Sequence, residues 1–370
     1  MKIQRLLLGA LAAVGLLMNT ACVATGTTAG TALYAFDTTN LQVLMWSDME
    51  TLYSEGSTSS LTTLPSPTKT ISSDYFSEFS ELGWGGMCID RSRNRLWMVN
   101  EAGLVCRVDS IRSRTDGSSL GSAYARTFQL GTDDDDRLSS GTFGQIAVDQ
   151  STGYLYVTEY SSSDSRVWVL TSPTGYAQDA TVAYSSVTTM DVSGDKYGYG
   201  IAVGGSNRVY GYFNSGSTIT DGNDNTHTGA RLRLGTSSAG FSSVIVGTSY
   251  TKLAKYGLLG ADSSNGIVYS CRLSTSSPII AFKNSKFSTG YDVAPTSTLP
   301  GNSTTALYVR VIAHPGNKDW LVGSGSTTSG EADYLSLWKT PSTDTSTEPI
   351  IFSYGAPLRG ITLDGSASSD

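Results

Sequence analysis

The chain has 370 residues and a formal net charge of −7, with 25 Lys and Arg against 32 Asp and Glu. Phosphate recognition needs clustered basic residues, so an acidic chain of this kind excludes nucleic acid as an expected partner. Charged residues make up only 15% while Gly, Ser and Thr abound, which favours strands and turns over helices.

In chain order, the first feature is a targeting segment. Lys2 and Arg5 open the chain, and residues 6–18 form an apolar run without charge. That run is too short to span a bilayer and suits a signal-peptide core. It ends in Asn19-Thr20-Ala21-Cys22, which resembles a bacterial lipoprotein signal, although Asn19 stands where that pattern has an aliphatic residue. The resemblance implies lipidation of Cys22, with Val23 after it pointing to outer-membrane sorting. Cleavage after Ala24 would instead leave a soluble periplasmic or secreted protein. Residues 1–21 are thus expected to leave, 22–31 to form a tether, and 32–370 to form one domain. Losing Lys2 and Arg5 takes the net charge from −7 to −9.

Next comes a repeat of alternating β runs separated by short polar turns, an antiparallel meander. Residues 32–37 and 42–46 form two strands with none before them. An insert rich in Ser, Thr and Pro, 49–66, reads as a surface loop. Residues 86–90, 95–100 and 104–108 form a first full copy, with a fourth strand at 125–130. Residues 144–149, 154–159 and 166–170 form the clearest copy, with a fourth strand at 181–184. In both copies an Asp ends the first strand, where its side chain can cap the turn. Weaker copies start at 188–192 (then 199–203, 208–212 and 230–234) and at 243–246 (then 256–259, 266–271 and 278–282). After a second insert, 284–305, a last copy takes 306–312, 319–322, 334–338 and 349–352.

The C-terminus supplies one further first strand, 359–364, and its Gly-Ile-Thr-Leu-Asp matches the first strands of the other copies. Joined across the termini, it completes a blade of one C-terminal and three N-terminal strands. The fold class predicted is all-β: a six-bladed β-propeller with four-stranded antiparallel blades, closed across the termini. The Gly-Ile-Ala-Val-Asp type of strand before a Leu-Tyr-Val strand resembles the NHL and YncE-like propellers. Such propellers include binding scaffolds, lactonases and lyases, so the resemblance implies a fold rather than a function.

Residues with chemistry are few. His227 and His314 lie in polar turn regions. Cys88, Cys106 and Cys271 sit in strand-like runs without metal-ligand spacing and read as buried apolar residues. Asp133, Asp134, Asp135 and Asp136 form a carboxylate run, a solvated loop for which calcium is the only suitable cation. Asp221, Asn223 and Asn225 alternate like the start of a calcium loop, but Thr226 and Leu232 depart from that pattern. The senescence-marker and gluconolactonase propellers hold a divalent cation with channel-lining carboxylates and amides, and here Glu81-Leu-Gly-Trp84 only approaches their Glu-Gly-Pro-x-Trp start. Trp46, Trp97, Trp168, Trp320 and Trp338 fall within strands and suit blade packing.

Propeller topology places loops between strand four and the next strand one on the same face as the strand two–three turns. That upper face is expected to be acidic (Glu101, Asp133–Asp136, Glu159 and Asp262 among others) and the opposite hairpin ring more basic, with Arg91, Arg93, Arg95, Lys196, Lys252, Lys255 and Lys318. Tyr75, Phe76, Trp84, Glu101 and Glu159 are the upper-face binding candidates. The expected function is a monomeric envelope lipoprotein that binds a protein or glycan partner without catalysis. The alternative is a metal-dependent lactonase-like hydrolase, which needs inward carboxylates and amides in the central channel.

Overall fold

The computed structural model describes residues 30–131, 137–138, 141–190, 192, 194–216, 219–220, 226–227, 229–246, 257–272, 274–288, 293–327 and 333–366. It is a six-bladed β-propeller. Blade 1 pairs the C-terminal Leu358–Asp364 with Ala32–Asp37, followed by Gln42–Trp46 and Lys69–Ser73. The closure expected from the two chain ends is therefore present, with Leu33 opposite Leu363 and Ala35 opposite Ile361. Arg112 of the next blade fastens it by ion-pairing with Asp364 at 2.5 Å.

Blade 2 comprises Leu82–Asp90, Arg95–Asn100, Leu104–Asp109 and Ala125–Leu130. Blade 3 comprises Thr142–Val148, Leu155–Tyr160, Ser165–Leu170 and Thr188–Met190. Blade 4 is Asp195–Val203, Arg208–Gly216, Arg231–Thr236 and Gly240–Val246; blade 5 is Leu259–Asp262, Ile267–Cys271, Ile279–Lys283 and Ser297–Leu299. Blade 6 is Tyr308–Ala313, Trp320–Ser326, Tyr334–Lys339 and Ile350–Ser353.

Two blades differ from the sequence expectation by one strand. Residues 188–192 were expected to open blade 4, but Thr188–Met190 is the fourth strand of blade 3, and residues 199–203 belong to the first strand of blade 4. Likewise 243–246 ends blade 4 rather than opening blade 5. The cause is Ala180–Val182, a strand-like run that follows blade 3 in sequence but lies parallel on the outer edge of blade 2. A strand-like run lent to a neighbour shifts every later assignment. The count recovers at blade 6, because the insert at 284–305 contains the missing fourth strand, Ser297–Leu299.

The loan to blade 2 has two counterparts. Ser118–Leu120, from blade 2, pairs in parallel with Lys69–Ser73 of blade 1, and Thr62–Thr63, from blade 1, pairs with Ile350–Ser353 of blade 6. The insert at 49–66, expected as loop, also holds a two-turn helix, Met49–Glu55. Asp48 caps it by accepting from the Glu50 amide at 3.0 Å, and Met49 and Leu52 are buried beneath it.

The first-strand Asp is a turn builder wherever it occurs. Asp149 accepts from Ser151 N at 2.8 Å, Asp262 from Ser264 N at 2.9 Å and Asp364 from Ser366 N at 3.0 Å. In blade 6 His314 takes the same place, its Nδ1 accepting from Gly316 N at 2.9 Å. Trp97 and Trp168 are fully buried between blades, and Trp46, Trp320 and Trp338 nearly so. Cys88, Cys106 and Cys271 are buried free thiols, and burial raises all three, Cys106 to about 12. No helix among the described residues is long and apolar enough to cross a membrane.

Candidate functional site

The innermost strands carry irregularities at one common level. Register shifts fall between Leu82 and Met87, Phe143 and Ile146, Gly198 and Gly200, and Val309 and Val311. In blade 1 the partners of Phe36 and Asp37 skip Arg359. A bulge leaves its extra residue outside the ladder and re-aims its side chain. The residues at these steps are Trp84, Gln145, Tyr199, Arg310 and Arg359. Glycines permit the distortion: Gly85 has φ +70°, and a Cβ on Gly200 would stand 2.1 Å from the Gly257 carbonyl oxygen.

On the upper side these residues make a cluster of rings and guanidinium groups. Arg359 lies 5.1 Å and Arg310 5.5 Å from the Trp84 ring centroid, so strands of blades 1 and 6 place two cations on one indole of blade 2. Such contacts contribute about 0.5–2 kcal/mol each, depending on desolvation. Glu101, on the strand two–three turn of blade 2, accepts from Arg359 Nη1 at 3.0 Å. In blades 3 and 4, Tyr160 packs on the buried Tyr199 at 4.2 Å, and Tyr197 stacks on Tyr199 at 6.1 Å. Tyr197 has φ +52°, a left-handed conformation unfavourable for a ring-bearing residue. Tyr308, at the start of blade 6, is 38% exposed.

Below this level the innermost strands enclose a small cavity with aliphatic side chains in its lining. It is lined by Met87, Ile146, Ile201, Leu259, Ile312 and Ile361 among others, and no carboxylate occurs among the described lining residues. Gln145 forms its ceiling. Its Nε2 donates to Leu259 O at 2.7 Å, and its Oε1 accepts from Ile201 N at 2.9 Å and Leu259 N at 3.0 Å. The amide thus reaches past blade 4 to blade 5 with its hydrogen-bonding capacity largely used.

The binding candidates from sequence divide accordingly. Trp84 and Glu101 are brought together. Tyr75 is half-buried in a separate cleft of blade 2 beside Glu78 and Gln129. Phe76 is not a surface residue: it is fully buried and packs edge-on to Phe36 at 5.7 Å. Glu159 is also fully buried, accepting from Leu138 N at 2.7 Å and Trp168 Nε1 at 2.9 Å, so it positions a loop and a core indole. The sequence alone marks Arg310 and Arg359 only as strand residues. Cys22, Asp133–Asp136, Asp221, Asn223 and Asn225 lie outside the described residues.

The described part of the upper face departs from the acidic expectation. Arg310 and Arg359 stand at its centre, Lys196 at the start of blade 4 is also on it, and Asp262 lies on the opposite side at a strand one–two turn. Among the described residues the face is mixed in sign.

One group of potential metal ligands lies on the lower side. Ligand atoms of Asp262, His314 and Asp319 fall within 4.8 Å of one another. The histidine does not suit a metal there. Its Nδ1 accepts the Gly316 N–H, so the neutral ring carries its proton on Nε2, the atom facing Asp262 at 3.8 Å. Both carboxylates are engaged as well, Asp262 by Ser264 and Asn265 and Asp319 by Ser342.

No protein-family model and no curated protein matches the chain. Among solved structures it is similar to a chain of a nidogen/laminin complex, with a TM-score of 0.53 and 12% identity over 91% of this chain and 100% of that one. It is more loosely similar to Kuenenia stuttgartiensis hydrazine synthase, with a TM-score of 0.39 and 10% identity over 70% of this chain and 64% of that one. At such identities the first likeness shows the fold alone: the chain is a six-bladed β-propeller.

Proposed function

We propose that this propeller is a non-catalytic interaction module, exported as a lipoprotein through Cys22, whose partner docks on the upper mouth of the channel. The observation that carries the reading is the cluster of Trp84, Arg310, Arg359 and Glu101, with Tyr197 and the exposed Tyr308 on the same face. Trp, Tyr and Arg are the residues that dominate binding energy at protein interfaces, and here strand bulges present them together. A protein partner fits this composition best, and a glycan is the second choice, since exposed rings also stack on sugars. The similar solved chain belongs to a protein complex, which agrees with that preference. The lack of a carboxylate among the described channel-lining residues and the engaged Gln145 speak against a lactonase-like hydrolase.

Photo-crosslinking in the native envelope tests this. A crosslinker at Tyr308 should capture a discrete protein adduct, and one at Asn207, on a lower strand one–two turn, should not. Trp84→Ala should abolish the Tyr308 adduct while leaving the circular dichroism spectrum intact. Equal capture from both faces, or capture indifferent to Trp84, would overturn the assignment of the face.

A further inference from the structure

A cleft of about 410 Å³ lies on the flank of blade 2, bounded by the connection from blade 1, the strand two–three turn and the outer strand. Its first wall is the short 3-10 helix Asp74–Phe79. Side chains three apart eclipse in such a helix. Phe76 and Phe79 therefore share the buried side, while Tyr75 and Glu78 share the side that lines the cleft. Ser73 caps the helix by accepting from Tyr75 N at 3.4 Å, and Asn100 Nδ2 donates to the Glu78 carbonyl at 2.7 Å. The opposite wall is Asp179, which blade 3 supplies just before the parallel strand Ala180–Val182.

The accessible lining is predominantly apolar, with Ala102 and Leu104 among its residues. The amides in the walls are engaged within the protein: Asn100 Oδ1 accepts from Leu104 N at 2.8 Å, and Gln129 Nε2 donates to Ala102 O at 2.7 Å. Asp179 Oδ1 accepts from Gln178 Nε2 at 2.6 Å and Thr127 Oγ1 at 3.1 Å, which fixes the carboxylate without neutralising it. Among the described residues no Lys or Arg lines the cleft, and neither Glu78 nor Asp179 forms an ion pair. Two carboxylates, a phenol ring and an apolar lining are complementary to a side chain with an apolar stem and a cationic head. The cleft also adjoins the upper mouth: Ala102 lines it, and the preceding residue, Glu101, accepts from Arg359.

We infer that the protein docked on the upper mouth inserts a lysine side chain into this cleft, its stem against Leu104 and Tyr75 and its ammonium between Glu78 and Asp179. This rests on the docking reading above and adds the chemistry of the partner. Lysine suits the cleft better than arginine because the carboxylates stand on opposite walls. The rotatable donors of an ammonium serve two separate acceptors, whereas a planar guanidinium fork matches one carboxylate bidentately.

Amide NMR spectra of the signal-less protein, titrated with N-acetyl-lysine methylamide at low salt, read the cleft without the partner. Saturable shifts at Gly103, Leu104 and Gln129 are expected, and N-acetyl-norleucine methylamide, which has the stem without the charge, should bind more weakly. Glu78→Gln combined with Asp179→Asn should weaken lysine about fivefold, the effect of losing two exposed ion pairs, and salt at about 0.5 M should also weaken it. Asparagine tolerates the φ of +59° at position 179 and keeps the acceptor for Gln178 and Thr127. A second double variant with the same change in net charge, Glu55→Gln with Asp116→Asn on strand three–four connections, should bind lysine as the parent does. In the crosslinking assay the Tyr308 adduct should fall in the first double variant and persist in the second. Absence of saturable binding, equal binding of the norleucine compound, equal loss in both double variants, or a Tyr308 adduct indifferent to Glu78 and Asp179 would overturn the proposal. Trp84→Ala should abolish the adduct and leave the lysine shifts unchanged, so failure of the docking mouth and failure of the cleft are distinguishable.

Discussion

Gln145 gives the sharpest test of how the ring is held together at its axis. Gln145→Ala removes one donor and one acceptor that together satisfy Leu259 O, Ile201 N and Leu259 N in a buried setting. A net hydrogen bond contributes about 1 kcal/mol, and a buried group left without a partner costs about 1–3 kcal/mol. Three such bonds give about 3 kcal/mol, with ~1 kcal/mol as the lower bound if water rises from the cavity below. An unfolding entropy of about 2.1 cal/mol/K per residue over roughly 335 residues is ~0.7 kcal/mol/K, so 3 kcal/mol lowers the melting midpoint by about 4 °C. The assay is urea and thermal unfolding followed by circular dichroism, with Gln145→Met as companion. Methionine refills the space without polar atoms, so it should be destabilised nearly as much as alanine if the hydrogen bonds matter. A midpoint for both variants equal to that of the parent would refute the idea that this amide braces blades 3, 4 and 5.

Two other outcomes follow from the same structure. A chain ended after Pro357 lacks the closing strand, and with it the buried Leu358, Ile361 and Leu363 and the Arg112–Asp364 pair. At about 2 kcal/mol per side chain the apolar loss alone is ~6 kcal/mol, comparable with the whole stability of a domain; cooperative unfolding should disappear and return when a peptide of residues 356–370 is added. Burial lowers His314 to about 4, so between pH 6.5 and 4 the unfolded chain takes up a proton that the folded chain refuses. Stability should therefore fall on acidification through that window, by up to about 1.4 kcal/mol per pH unit from this group. His314→Asn, which keeps an acceptor for Gly316 N–H, should flatten the urea-midpoint profile there, and an unchanged slope would locate the titration elsewhere.

Much of the architecture is legible in the residues because blades 2 and 3 repeat a two-residue alternation ended by Asp90 or Asp149, and the C-terminal Gly-Ile-Thr-Leu-Asp supplies the strand that the N-terminus lacks. Blades 4 and 5 are less legible for a physical reason. Strand propensity does not say which sheet a strand joins, and Ala180–Val182 joins the blade before its own. The upper site was half visible. Trp84 and Glu101 stand out because topology puts them near a loop face, whereas Arg310 and Arg359 emerge only once the pairing register exposes the bulges. Phe76 and Glu159 show the converse, since a place near a turn does not determine exposure. The only hint of the bulged level was the position four residues before the turn, where Gln145 and Arg310 replace the glycines Gly86, Gly200 and Gly360.

The three short parallel strands on the outer edges make the six junctions of the ring unequal. Each is a strap from one blade to the one before it, and together they cross the junctions from blade 6 through blade 1 and blade 2 to blade 3. The middle of that arc contains the seam where the two ends of the chain meet, the place at which a ring built from one linear polymer has no covalent continuity. Additional links guard it: Leu64 N donates to Ser353 O at 2.8 Å, Asn302 Nδ2 to Thr58 O at 2.8 Å, and Lys339 pairs with Glu50 at 2.5 Å. The discontinuity in the backbone is thus not the mechanical weak point. Under load, or in the slow breathing that hydrogen exchange records, the ring yields first on the far side, where blades 3, 4, 5 and 6 follow one another without a strap among the described residues.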